Sequence, residues 1–208
     1  MMRLMRFVGI LAMSFLVAAR AGADVPPDVQ ARNTTSEVLA IIKKDKEIQS
    51  GDNQKILALV DEKILPHFDF ARMTQLAVGK NWQRATPAQR QSLIREFRAL
   101  LVRTYANALS TFANTQVDFK PLRMQPSDTD VTVKTEVKMP GAQPVTIDYS
   151  MEKMEDGWKV YDVAVDGVSL VTVYRSSFAQ EVRRNGIDGL IDLLARRNTS
   201  TQKTANEK

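Results

Sequence analysis

Few of the 208 residues can make or break bonds. There is no cysteine, which removes thiolate nucleophiles, disulfides and thiol-ligated metals from consideration. The one histidine, His67, stands between Pro66 and Phe68. A lone histidine in such company is far more often a packing or hydrogen-bonding residue than a catalyst. No set of His and carboxylate residues at metal-ligand spacing is visible, and serine-elbow, phosphate-loop and glycine-rich dinucleotide motifs are missing. The carboxylates nearest apolar strand faces are Asp148 and Asp162. Burial raises the pKa of such a group and can make it a general base, and cones of sheet and helix can house one. That chemistry needs convergent partners, and no convincing set accompanies either aspartate. The commoner role for Asp148 is the polar side of an alternating strand.

The sequence is richer in residues suited to holding something apolar. Tyr105, Tyr149, Tyr161 and Tyr174 each lie in an otherwise apolar row, and there are nine methionines. Met and Tyr line adaptable cavities, although they also fill ordinary cores. Periodicity alone does not separate a filled core from a hollow one.

The elements that would position these rows divide into a helical half and a sheet half. A first helix runs from Asp28 to Lys44, loosened near Asn33, Thr34 and Thr35. A second is capped by Ser50-Gly51-Asp52 and stopped by Pro66, and a third has Asp69 as N-cap and Gly79 at its end. Thr86-Pro87-Ala88-Gln89 is the clearest start signal, with a capping hydroxyl, a first-turn proline and a third-position amide. From it Leu93, Phe97, Leu101, Tyr105, Leu109 and Phe112 form one long stripe. The sheet half begins at 116–124, an edge strand because Pro121 cannot donate to a ladder. Val131, Val133, Val137 and Met139 alternate with polar residues, as do Val145, Ile147, Tyr149 and Met151. Asp156-Gly157 turns the chain into a strand, 158–166, that is apolar on both faces and whose register is open, since a one-residue slip exchanges its faces. After Asp166-Gly167 the period becomes helical through Leu170, Tyr174, Phe178 and Val182, and a last helix follows Asn185-Gly186. The expected fold is α+β, an antiparallel four-stranded meander covered by helices.

The N-terminus bears on compartment. Arg3 and Arg6 precede an apolar run from Phe7 to Ala19 and then Ala21-Gly22-Ala23. That is the layout of a cleaved signal peptide over residues 1–23, with a hydrophobic region too short to span a bilayer. The rest reads as one domain over 24–196 and a polar, disordered tail over 197–208. Arg3, Arg6 and Arg20 leave with the leader and no acidic residue does, so the formal net charge falls from +5 to +2. No dense basic stripe interleaved with aromatics remains, and nucleic-acid binding is not expected.

The run FDFARMTQLAVGKNWQRATPAQRQSLIREFRALLVRTYANAL, then GWKVYDVAVDGVSLVTVYRSSF and NGIDGLIDLL, resembles the MlaC-like family of periplasmic phospholipid-binding proteins, also called the toluene tolerance family. The likeness covers nearly the whole mature chain in the same order. It implies a mixed fold, partly like nuclear transport factor 2, with a cavity between sheet and helices. It also implies a carrier in the Gram-negative periplasm, with phospholipid as cargo and no cofactor. The partners implied are an outer-membrane Mla lipoprotein complex and an inner-membrane Mla ABC transporter bearing an MCE-domain ring, the route that maintains outer-membrane lipid asymmetry. Combining the resemblance with shared parity or stripe, the acyl cavity is expected to be lined by Met73, Leu76, Phe97, Leu101, Tyr105, Val133, Val145, Ile147, Tyr149, Tyr161, Val163, Val165 and Tyr174. Two other readings stand beside the carrier: a small-substrate enzyme using buried Asp148 or Asp162, and an exported interaction module with a solid core.

Overall fold

The computed structural model describes residues 25–206, so the expected leader lies outside the described residues. Five strands form one antiparallel meander in chain order: β1 (Gln116–Phe119), β2 (Asp130–Lys138), β3 (Val145–Met154), β4 (Gly157–Val165) and β5 (Val168–Ser169). The sequence reading expects four strands, and β5 is the addition. Asp166 and Gly167 both take positive φ, 47° and 78°, which is what a two-residue hairpin turn requires. They fold Val168 back onto Val165 before the helical period begins.

The open register of β4 resolves through a bulge. Ser150 pairs with Asp162 but Met151 pairs with Val160, leaving Tyr161 as an extra residue. Because of that residue, Val160 and Val163 share one face with Met151 and Tyr149, although their numbers differ in parity. Tyr161 leaves for the opposite face, where its hydroxyl donates to Asp130 at 2.7 Å. Arg72 stacks over its ring at 3.5 Å and forks to Asp130 (2.7 Å) and Glu152 (2.5 Å).

Asp52, Asp69 and Thr86 each cap the helix they precede. Helix α1 (Pro27–Lys44) is continuous through Thr34 and Thr35, where the sequence reading expects it to loosen. A short α2 (Lys46–Gln49) follows, and Asp52 caps α3 (Asn53–Leu59). The chain then widens into a π turn at Val60–Ile64 and tightens into a 3-10 turn at Leu65–His67. Asp69 accepts from the N–H groups of Ala71 and Arg72 to start α4 (Phe70–Val78), which Gly79 ends at φ 61°. The full capping box at Thr86 and Gln89 opens α5 (Pro87–Tyr105). That helix does not carry its stripe to Phe112, because Ala106–Asn114 is wound as a 3-10 helix instead. Helix α6 (Thr172–Asn206) is broken at Gly186, with φ 73°. It continues into the stretch expected to be a disordered tail. Within that stretch Asn198 is buried and donates to the Glu96 carbonyl at 3.0 Å.

Three apolar clusters result. One lies on the inner sheet face around Val131, Val133, Met151, Trp158 and Val160. Another joins α4, α5 and α6 through Met73, Leu93, Phe97, Phe178 and Leu190. The last joins α1 and α3 to the 3-10 segment through Val38, Ile42, Ile56 and Ala106. Among the described residues no helix is long and apolar enough to cross a membrane.

The Arg72 fork ties α4 to β2 and β3, and Glu152 Oε1 is already buried without a partner. Burial pushes the Glu152 carboxyl up, and Arg72 opposes that shift. Removing the guanidinium in Arg72→Met should therefore cost about 1–3 kcal/mol, discounted from a fully buried pair because both partners keep some exposure. Urea unfolding of the two proteins gives this difference directly; equal midpoints would show that the fork is held at no energetic gain.

Candidate functional site

Where the three clusters meet they do not merge, and among the described residues two apolar cavities lie there. The first, about 200 Å³, lies between α1, the 3-10 segment and the inner sheet face. Its floor is Val137, Ile147, Tyr149, Met151 and Val160, and its roof is Ala31, Thr34, Thr35 and Val38 of α1 with Leu109 and Phe112. The second, about 180 Å³, lies between the π turn, α4 and the end of α5. Met73, Leu101, Val102, Tyr105, Val163 and Leu170 line it, with Val60 and Phe70. Ile64, Phe68 and Leu109 belong to both linings and form the partition.

Local chemistry explains these walls. Residues 31, 34, 35 and 38 follow helical spacing, so one face of α1 meets the sheet. That face is made of small and β-branched side chains, which leave room where leucines would fill it. The π turn and the 3-10 helix shift their side chains off the α-helical phase, and this moves Ile64 and Leu109 into the gap. Phe68 is held there by the backbone, since it bridges to Val160 and Asp69 N–H donates to the Val160 carbonyl at 2.9 Å.

Of the residues expected to line a cavity, Ile147 and Tyr149 face the first, and Met73, Leu101, Tyr105 and Val163 face the second. The others do not. Phe97 is fully buried in solid core, edge-on to Tyr174 at 5.2 Å and to Phe178 at 5.3 Å. Leu76 and Tyr174 pack against the same cluster. Val133 is fully buried within the sheet cluster. Val145 and Val165 lie on the inner face but outside both linings, opposite Val137 and Ile147. Tyr161 is turned away by the bulge. Phe68, Ile64, Leu109 and the threonine face of α1 were not expected. A signal for α1 existed in the spacing of 31, 34, 35 and 38, but the polar hydroxyls masked it.

Polar groups at the cavities are few and specific. Burial pushes the Tyr149 hydroxyl up to about 12. Tyr105 stands 39% exposed at the rim, and burial, with Tyr174 close by, pushes its hydroxyl up to about 12. His67 lines the first cavity beside Gln30. Burial, and then the Lys159 charge, lower its pKa, while Glu37 works weakly the other way. Neither Asp148 nor Asp162 reaches a cavity. Asp148 lies opposite Lys134 on the outer face, and Asp162 accepts from the N–H groups of Val163 (2.8 Å) and Val171 (3.2 Å). Among the described residues no group of three His or carboxylate side chains is placed to hold a metal ion. The arrangement is suited to enclosing long apolar groups.

The depressed His67 pKa has a sign that can be checked. The unfolded chain binds a proton near pH 6.5 and the folded chain resists it, so stability should fall as pH drops below about 6.5. Above that both states are neutral and no contribution remains. His67→Gln should flatten this limb between pH 6.5 and 5 in urea titrations, whereas an unchanged limb would assign it to other groups.

A sequence model of the family described as MlaC protein matches residues 32–196. The toluene tolerance protein ttg2D of Pseudomonas putida is 27% identical over 169 residues, covering 80% of this chain and 77% of that protein. The intermembrane phospholipid transport system binding protein MlaC of Haemophilus influenzae is 21% identical over 181 residues, covering 86% and 85%. Among solved structures, the phospholipid-binding protein from Ralstonia solanacearum in complex with a phospholipid superposes with a TM-score of 0.79. It is 41% identical and covers 86% of this chain and 99% of its own.

Proposed function

The chain belongs to the MlaC family, and from that premise we propose that it is a periplasmic carrier that encloses the acyl chains of a phospholipid. It shuttles that lipid between an outer-membrane Mla complex and the inner-membrane Mla transporter with its MCE-domain ring. Residues 1–23 are its export signal. The observation that carries this reading is the pair of apolar cavities meeting at Ile64, Phe68 and Leu109. Two hollows that share a partition suit a ligand with two apolar arms joined at one end.

The energetics agree. Burying a methylene is worth about 0.8 kcal/mol, so an acyl chain of about fifteen gains roughly 12 kcal/mol over water. A lipid does not cross an aqueous space unshielded at a useful rate against that gradient. The bilayer offers nearly the same gain, so a carrier need only match it. Extraction is then close to neutral, and direction is left to the partners. Lining side chains contribute many contacts of about 0.1–0.2 kcal/mol per atom pair, so no single residue dominates. The protein acts by enclosure and not by catalysis. That neither Asp148 nor Asp162 lines a cavity speaks against the enzyme reading, and the cavities speak against a solid interaction module.

Organic extraction of the purified protein followed by mass spectrometry tests the carrier directly. Phospholipid near one equivalent is expected; protein that is empty and refuses lipid from vesicles would sink the reading. Two charge insertions then test the cavities separately. Ile147→Glu in the first and Val163→Glu in the second each place a carboxylate where tails must lie, and an unpaired buried charge excludes them or admits water. Each variant is expected to fold and to lose most of its lipid, while Ile147→Ala only weakens retention. Circular dichroism separates empty protein from unfolded protein. A folded Ile147→Glu variant with full lipid content would remove the first cavity from the binding site.

Asp148→Asn should leave vesicle-to-vesicle transfer within about twofold of the parent, since a surface change away from caps and partners moves stability by no more than about 0.5 kcal/mol. A collapse of transfer in that folded variant would restore a chemical or docking role for the carboxylate.

A further inference from the structure

One polar group in the cavity wall has a bonding position left open. Gln30 Nε2 donates to the Trp158 carbonyl at 2.7 Å. A backbone carbonyl only accepts, so this contact fixes which end of the Gln30 amide is nitrogen. The same nitrogen lies 3.4 Å from His67 Nδ1. Nδ1 must therefore accept, and the imidazole proton sits on Nε2. Among the described residues no hydrogen bond is made by Nε2, although the ring lines the first cavity.

We propose that the His67 Nε2–H, set by Gln30 and the Trp158 carbonyl, is an anchor for an acceptor oxygen of the bound lipid, an ester carbonyl or a phosphate oxygen at the junction of tails and head. This rests on the carrier reading and adds to it a fixed polar point within the apolar wall. The neighbourhood fits an oxygen acceptor. Lys159 stands close by, held by the Pro66 carbonyl and Asp156 at 2.8 Å each, so its charge lies beside the ring without filling the cavity. Burial and that charge keep the imidazole neutral, which retains the tautomer near neutral pH. An anchored oxygen would limit how deep the lipid sits, something the tails alone do not specify.

The chain contains a single histidine, so untagged protein labelled at the histidine ring nitrogens reports on this site alone by NMR. Delipidated protein should show the neutral Nε2–H tautomer. Loading from diacyl phosphatidylglycerol vesicles should move the Nε2–H resonance downfield. A dialkyl ether phosphatidylglycerol, which lacks ester carbonyls, keeps that shift if phosphate is the acceptor and loses it if an ester carbonyl is. His67→Phe should speed lipid release to acceptor vesicles about two- to tenfold, the range of one net hydrogen bond, and His67→Gln should recover part of the loss. Normal loading with an unmoved histidine resonance, the Nδ1–H tautomer, or equal release from parent and His67→Phe overturns the anchor and leaves the carrier standing. Protein that takes up no lipid overturns both.

Discussion

The Asp69 N–H donates to the Val160 carbonyl at 2.9 Å, and this one backbone pairing carries Phe68 into the middle of the molecule. Phe68 packs against the sheet cluster and against the α4–α6 cluster at once. It therefore holds the two at a set separation. Ile64 and Leu109 come to the same point from the third cluster. Protein interiors normally close to crystal-like density, and a hollow persists only where each surrounding core is satisfied separately. Here the sheet, the α4–α6 layer and the α1–α3 layer each have buried centres of their own. Collapse into the gap would have to break one of them.

The bulge at Tyr161 works on the two faces of the sheet together. Inward, it keeps Val160 and Val163 on one surface, so the floor of the first cavity and the wall of the second are continuous. Outward, it delivers a tyrosine to Arg72, Asp130 and Glu152. This group of charges is thus gathered on the side away from the cavities. A low-dielectric interior without free charge is what an apolar guest requires.

Much of this was legible before the structure. The strand alternation from Val131 to Met151 and the caps at Asp52, Asp69 and Thr86 all follow from local chemistry, and local chemistry held. The bulge was not legible, because inserting one residue changes face without changing composition. Nor could the α5 stripe be divided in advance. Phe97 and Leu101 are one turn apart on the same face, yet the first is enclosed by Tyr174 and Phe178 while the second also lines the second cavity. That difference is made by α6 and the π turn, which lie far away in the chain. The threonines of α1 misled for a related reason, since hydroxyls suggest solvent even where a helix face is covered.

The wall formed by Ala106–Asn114 has a consequence for how the molecule breathes. A 3-10 helix of this length is unusual, because its hydrogen bonds are poorly aligned and its side chains eclipse every third residue. It also has no strand partner and meets its neighbours mainly through Ala106, Leu109 and Phe112. Local opening of this segment should therefore cost less than global unfolding. Amide protons of this segment should exchange with solvent while those of β2, β3 and α5 stay protected. The same roof covers the first cavity, so an opening of this segment uncovers the interior.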